Sequence, residues 1–361
     1  MRILVLSPYQ AASHRLWIDQ LVEGFHDIEW RILSLPARHF HWRIRSNPLS
    51  WYLGGQAAGA ATPDLILATS MTDLATFKGL FHKRLGNIPA IVYFHENQFA
   101  YPVTPGVASA VEPAMVNLYS ALAADRVVFN SEYNRRSFLD GAKRFLSRIR
   151  ERLPLEKLQD IREKSEVIPV PVRDAFFACR PAVPPDPTRL VWNHRWEYDK
   201  GPDTLLAAVS WLAERGVSFR LELAGQRFRR APDSLTGLVR RFGRRQVRDV
   251  GYLDEPDYVP FIARGGIVLS TALHEFQGLA VMEAAAAGCT PLVPDRLVYP
   301  EWFGERYRYA SCTDPAEEGR ALGRRIMEML EAGGTPEPPS MGALRFEELA
   351  RYYRALFNAV V

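Results

Sequence analysis

Short, continuous apolar runs alternate with amphipathic stretches along the first half of the chain. Residues 3–6 (Ile-Leu-Val-Leu) are followed by a stretch at 14–24, and residues 65–68 (Leu-Ile-Leu-Ala) by a polar turn and a stretch at 74–81. Residues 91–94 lead into a loop that starts at His95, and residues 127–130 lead into a stretch at 132–145. An apolar run of this length, without polar alternation, belongs to a strand covered on both faces. Strands of that kind separated by helices predict a doubly wound parallel sheet.

The pattern then breaks. Pro169, Pro171, Pro181, Pro184, Pro185 and Pro187 follow one another closely. Proline has no N–H to donate and a fixed φ, so this density excludes helix and central strand and predicts a linker. The alternation resumes at 190–192, continues through 203–214 and 221–223, and returns at 247–252, 267–270 and 290–293. The second half thus repeats the first. A length of 361 residues suits two domains of roughly 100 to 200 residues each. The expected class is α/β with two Rossmann-like domains, at 1–170 and 189–345, a proline-rich linker at 171–188, and a final helix at 346–361 packing back on the N-terminal domain. Two such domains make a cleft, and ligands of open parallel sheets sit beyond the carboxyl ends of the strands, so residues just after strands carry the functional weight.

The strongest signal of that kind is the segment from His274 to Gly288, directly after the strand at 267–270. Gly278 lets a ligand approach the backbone, and the residues beyond it are strong helix formers up to Gly288. A loop followed by a helix start offers backbone N–H groups, here around Phe276, Gln277, Gly278 and Leu279, to sugar hydroxyls and a diphosphate. Glu275 lies in the loop. Glu283 lies about one turn inside the helix, where a carboxylate can grip the vicinal hydroxyls of a ribose. Alone, the two would read as a capping and a solvent-facing glutamate. The second segment runs from Trp192 to Pro202, where Arg195 and Lys200 follow a strand and precede a helix, so two cations and a helix N-terminus point to the same diphosphate. Fixed cations stabilise the charge that develops on a departing diphosphate without a metal. Asp-x-Asp, the usual metal-binding signature, occurs nowhere in the chain. The plainer reading of Arg195 and Lys200 is a surface ion pair with Glu197 and Asp199.

In the first half, His95, Glu96, Asn97 and Gln98 stand in a row after an apolar strand, with His95 the best candidate for contacting the sugar or positioning the acceptor. Ser13 and His14 follow the first strand. Asn130 and Ser131 follow another, and helix capping accounts for them best.

Composition narrows the picture. Hydrophobic residues make up 47% and charged residues 24% of the chain, enough to bury a core and without the signature of disorder. The N-terminal apolar stretch is too short for a signal-peptide core, no run approaches the roughly 18 to 20 apolar residues of a membrane span, and Cys179, Cys289 and Cys312 are scattered. A cytoplasmic protein without disulfides, membrane anchor or zinc is expected. Net charge is only +4, but Arg144, Arg148, Arg150 and Arg152 cluster, as do Arg227, Arg229, Arg230, Arg240, Arg241, Arg244 and Arg245. Such local positive fields attract a polyanion.

Taken together, Glu275 and Glu283 with seven residues between them, the Arg195/Lys200 pair and the doubled alternation resemble the GT-B glycosyltransferases of family 4, over nearly the whole chain. More narrowly, residues 35–45 (LPARHFHWRIR, with His41), 94–102 (FHENQFAYP), 129–131 and 194–197 resemble the tRNA-queuosine mannosyltransferases. The resemblance implies a retaining, metal-independent hexosyltransferase that takes GDP-mannose as substrate, needs no cofactor, and acts on queuosine at the wobble position of tRNA-Asp. It also implies that Glu283 holds the ribose, Arg195 and Lys200 the diphosphate, and Glu275 with the neighbouring amides the mannose. His95 would line the reaction centre, and Ser13, His14, His41, Glu96, Asn97 and Gln98 the acceptor side. Where relatives carry a glycine pair before Ser-His, this chain has Gln10-Ala11-Ala12. An RNA acceptor would give the arginine clusters a use, and Phe40, Trp42, Phe99 and Tyr101 are candidates for stacking on an extruded base.

Two other readings stand beside this one. A family-4 transferase acting on a lipid or cell-surface glycan would need an exposed apolar or basic amphipathic patch in the first domain, which the sequence pattern does not reveal. A non-catalytic tRNA-binding protein would be expected to have lost Glu275, Glu283, Arg195 or Lys200, and all four are present.

Overall fold

The computed structural model describes residues 1–56, 61–101, 111–150, 154–179, 186–228 and 231–361. Pro102, Arg152, Pro181, Pro184, Pro185, Arg229 and Arg230 lie outside the described residues. The chain divides into two compact units, Met1–Pro171 with Phe346–Val361, and Val172–Arg345.

The first unit is built on six parallel strands, β1 (Arg2–Gln10), β2 (Glu29–Pro36), β3 (Leu65–Thr69), β4 (Ala90–Phe94), β5 (Arg126–Phe129) and β6 (Ser165–Val167), in the spatial order β2-β1-β3-β4-β5-β6. Register pairs Leu4 with Ile66, Ile66 with Ala90 and Ile91 with Arg126. Every residue of β3 and β4 is buried, which is why these strands read as unbroken apolar runs. From β1 the chain steps outward to β2, then crosses to β3 on the other side, so the order reverses between β1 and β3. In open parallel sheets ligands bind at that reversal.

The helix Phe346–Asn358 belongs to this unit although it closes the chain. Trp17 Nε1 donates to the Tyr353 hydroxyl at 3.0 Å, and that hydroxyl donates to Pro169 O at 2.9 Å. The helix Phe40–Leu53 contains Pro48, whose ring removes the N–H that would reach the Ile44 carbonyl. Asn47 Nδ2 supplies the missing donor to Ile44 O at 2.9 Å.

The second unit repeats the plan with β7 (Arg189–Trp192), β8 (Arg220–Ala224), β9 (Val247–Gly251), β10 (Ile267–Leu269), β11 (Thr290–Pro294) and β12 (Arg308–Tyr309), in the order β12-β11-β10-β7-β8-β9. Its reversal falls between β7 and β10, which pair Ile267 with Leu190. The segment after Pro171 is not a bare linker, because Val172 bridges to Arg345 and Asp174–Ala178 is helical. Among the described residues no helix is long and apolar enough to cross a membrane, and Cys179, Cys289 and Cys312 are free thiols.

Candidate active site

In the second unit, the loops that leave β7 and β10 carry the two strongest segments of the sequence, and the structure brings them together. Lys200, 8% exposed, donates to the His274 carbonyl at 3.0 Å and to Glu275 Oε2 at 3.2 Å, and pairs with Asp199 Oδ2 at 3.2 Å. The backbone ties the same loops, since the Asp199 carbonyl accepts from the amides of Leu273 and His274 at 2.8 and 3.2 Å, and Thr271 Oγ1 donates to Lys200 O at 2.7 Å. Gly201 permits this approach: its φ is +63°, and a Cβ there would lie 1.9 Å from Thr271 O. No other residue fits that position without moving one loop off the other.

The cations are not free charges. Lys200 has an acceptor for each of its three N–H bonds. Arg195, half exposed, pairs with Glu197 at 2.9 Å. Burial pulls the Lys200 pKa down, but Glu275 and Asp199 outweigh it and leave the ammonium above its ordinary value. For Glu275, burial pushes the carboxyl up, while Lys200, His194 and His274 together bring it to about 2. Burial and the Lys200 charge lower His194 to about 4, so its ring is neutral at pH 7.

Gly278 (φ +80°) starts the helix Leu279–Ala286, whose first amides have no partner within the helix. The Phe276 amide donates to Glu275 Oε1 at 3.1 Å, so Glu275 stands against the backbone cluster that the sequence singled out. The side chains of Phe276 and Gln277 are buried, the latter with Nε2 on Met282 Sδ at 3.7 Å. Glu283 is buried on the same helix, and its Oε1 accepts from Arg173 Nε at 3.2 Å and Nη2 at 3.0 Å. Burial raises the Glu283 pKa, and Arg173 works against that rise. Arg173 also pairs with Glu255. Nothing in the sequence pattern marks Arg173, which falls within the segment read as a linker. Asn193, just after β7, donates to Tyr258 Oη at 2.7 Å and to Ala280 O at 2.8 Å, while its own buried Oδ1 has no hydrogen-bond partner. Its position past a strand end was the available signal.

In the first unit, the ends of β1, β3 and β4 gather a second polar group. His14 lies in the first turn of the helix Ala12–Gly24, and its Nε2 donates to Glu96 Oε2 at 3.2 Å. Ser70, the residue after β3, donates to Glu96 Oε1. The sequence reading passed over Ser70, although the strand-end rule covers it. The His95 ring lies 4.1 Å from that of His14 and is enclosed by Trp17 and Tyr93. It is 7% exposed, and neither ring nitrogen has a hydrogen-bond partner. Burial first, and the neighbouring His14 second, hold its pKa well below the ordinary value. A neutral imidazole with both nitrogens unsatisfied is unusual in a protein interior, where most polar atoms find partners.

Other residues of the expected set are placed differently. Asn97 faces inward, not toward an acceptor: its Nδ2 donates to Asn134 Oδ1 at 2.8 Å and Ser137 Oγ at 2.9 Å, and its Oδ1 accepts from the amides of Phe99 and Ala100. With every polar atom taken and no exposure, it holds the loop in shape. Gln98 is tied through its amide to Asn117 Oδ1 at 2.8 Å. Ser13 is exposed beside His14, and His41 is exposed on the helix Phe40–Leu53 with its ring edge against Phe40. Ser131 caps the helix Glu132–Leu146 by accepting from Asn134 N at 3.0 Å. The helix Phe40–Leu53 also exposes Trp42, Leu49, Tyr52 and Leu53, an apolar face that the sequence pattern did not reveal. Among the described residues no group of three His, Cys, Asp or Glu side chains is placed to hold a metal ion.

Two doubly wound parallel sheets with polar loops at their reversals define a GT-B glycosyltransferase, and solved structures share the fold. A sucrose-phosphate synthase from Thermosynechococcus elongatus aligns over 99% of this chain and 100% of its own at a TM-score of 0.68 and 16% identity. A glycosyltransferase from Rickettsia africae aligns over 99% and 98% at 0.68 and 15%. The family model for the tRNA-queuosine alpha-mannosyltransferase N-terminal region matches residues 2–172. A tRNA-queuosine alpha-mannosyltransferase from Drosophila melanogaster is 35% identical over 324 residues, spanning 85% of this chain and 83% of that protein. The chain belongs to the tRNA-queuosine alpha-mannosyltransferase family and is a hexosyltransferase.

Proposed function

We propose that the protein transfers mannose from GDP-mannose to queuosine in tRNA-Asp, in the cytoplasm, with retention at the anomeric carbon and without a metal ion, in the manner of family-4 transferases. The single observation behind the donor side is the Lys200 ammonium fixed against Glu275 by the loops leaving β7 and β10. In this reading the diphosphate of the donor displaces one of the carboxylates now on Lys200. Arg195 adds a second charge, the helix start at Gly278 supplies amides, Glu275 with its backbone neighbours takes the sugar, and Glu283 grips the ribose. As the bond from the anomeric carbon to the diphosphate breaks, negative charge grows on the leaving oxygen, and the buried ammonium stabilises it. His95, with Glu96 and His14, serves the acceptor side. The choice of mannose and queuosine rests on the family, since nothing in these side chains selects guanine or mannose.

The test is to incubate the purified protein with GDP-mannose and queuosine-containing tRNA and to analyse the nucleosides by mass spectrometry. A hexose on queuosine is the expected result, and turnover only on a lipid acceptor would reverse the assignment. That second reading, a transferase acting on a lipid or cell-surface glycan, draws on the exposed Trp42, Leu49 and Leu53 of the first unit.

A further inference from the structure

Between Glu29 and Asp64 the chain has no acidic residue, yet it carries Arg31, Arg38, Arg43 and Arg45 together with His39 and His41. Two of these arginines are engaged inside the first unit, Arg45 with Asp73 and Arg31 with the Gln56 carbonyl. Arg38 and Arg43 have no carboxylate partner among the described residues. Beside them Trp42 is 80% exposed and, with Leu49 and Leu53 on the same helix, forms an exposed apolar patch of the kind that marks an interaction site. Trp42, Ser46 and Ser50 follow one another at four-residue spacing and so share a helix face. With His39 and Arg43 they line a cavity of about 310 Å³.

We propose that this recess is a subsite for one unpaired nucleotide of the RNA acceptor, distinct from the nucleotide that is modified. The base stacks on the Trp42 indole, the adjoining phosphate meets Arg43 and Arg38, and Ser46 offers a hydroxyl to the sugar or base edge. The inference rests on the RNA acceptor proposed above. A flat aromatic wall next to a cation and a hydroxyl inside a recess is what a single-stranded nucleotide requires. Acyl chains would cover Trp42 together with the exposed Leu49 and Leu53, but would leave the cations and serines of the recess without partners. Arg38 and Arg43, with no acidic residue between Glu29 and Asp64, favour a polyanion at this recess.

The experiment measures binding of a fluorescently labelled anticodon stem-loop, lacking queuosine, by anisotropy over a salt series, with GDP binding by calorimetry as control. Trp42→Ala is expected to weaken RNA binding roughly tenfold or more and to leave GDP affinity and melting temperature unchanged, since the side chain packs against little. Arg43→Ala is expected to lower the slope of log affinity against log salt by about one. RNA affinity of the Trp42→Ala protein equal to wild type overturns the subsite. So does a loss confined to co-sedimentation with anionic phospholipid vesicles. The two proposals fail separately: a wild type that binds the stem-loop through Trp42 but adds no hexose to queuosine tRNA keeps the subsite and removes the function, and transfer with undiminished Trp42→Ala binding does the reverse.

Discussion

Arg173 donates from Nε at 3.2 Å and from Nη2 at 3.0 Å to the same carboxylate oxygen of Glu283. Burial alone would favour the protonated form of Glu283, and the guanidinium is what opposes it. In the proposed donor site, a protonated Glu283 has less capacity to accept from ribose hydroxyls. Arg173→Ala should therefore raise the Glu283 pKa further and move the acid limb of kcat/KM to higher pH, with a higher KM for the donor. Leaving a buried carboxylate alone should also cost about 3 kcal/mol of stability, readable by urea titration, while Arg173→Lys keeps the charge and recovers much of the pH profile. Glu283→Ala should weaken donor binding in calorimetry. An unchanged pH profile in Arg173→Ala would show that the pair only braces the fold.

Lys200 acts, in the proposed mechanism, on charge that appears during bond cleavage more than on charge already present in the bound donor. Lys200→Ala should slow single-turnover transfer by about 100-fold, the scale of removing one electrostatic contact from a transition state. Donor affinity should fall much less. Equal losses in both would mean that the ammonium binds ground state and transition state alike.

How far the sequence revealed this arrangement depends on burial. β3 and β4 are covered on both faces, and their unbroken apolar runs disclosed them. The strands absent from the sequence reading, β2, β6 and β12, all lie at sheet edges, where partial exposure mixes polar residues into the run. β2, Glu-Trp-Arg-Ile-Leu-Ser-Leu-Pro, has a single fully buried residue. The helix Phe40–Leu53 was hidden by Pro48, whose cost Asn47 offsets with a side-chain hydrogen bond that no periodicity reveals. The two polar clusters were legible where polar residues follow a strand in the chain, as with Lys200, Glu275, His14 and His95. Arg173 was not, because it reaches Glu283 from 110 positions away, and only the folded chain joins them.

The Glu275–Lys200 pair also predicts how stability responds to acid. The Glu275 carboxyl is lowered from its ordinary value of 4.5 to about 2, so the folded protein holds a carboxylate that the unfolded chain protonates first. Its contribution is fully present above pH 4.5 and is lost as the pH falls through 2. A shift of about 2.5 pKa units corresponds to about 3 kcal/mol. Urea unfolding at pH 6 and pH 3 should show a smaller loss between the two in Glu275→Gln than in wild type. Identical losses would mean that Lys200 does not hold the carboxylate in solution.

His95 offers the sharpest separation of structure from function. Its ring is packed like an aromatic core residue, against His14, Trp17 and Tyr93, yet both nitrogens lack partners. If packing were its whole purpose, phenylalanine would serve as well or better, because it fills similar space and removes two buried polar atoms. His95→Phe should accordingly match or exceed wild-type stability, within about 1 kcal/mol in urea titration. If the nitrogens meet substrate, the same variant should transfer hexose at least tenfold more slowly, with GDP affinity unchanged, since that ligand is assigned to the second unit. Because His95 is neutral throughout the range above its lowered pKa, its contribution should not titrate near pH 6.5. A wild-type rate in His95→Phe would reduce His95 to a core residue and leave Glu96 and His14 as the polar groups of that end of the sheet.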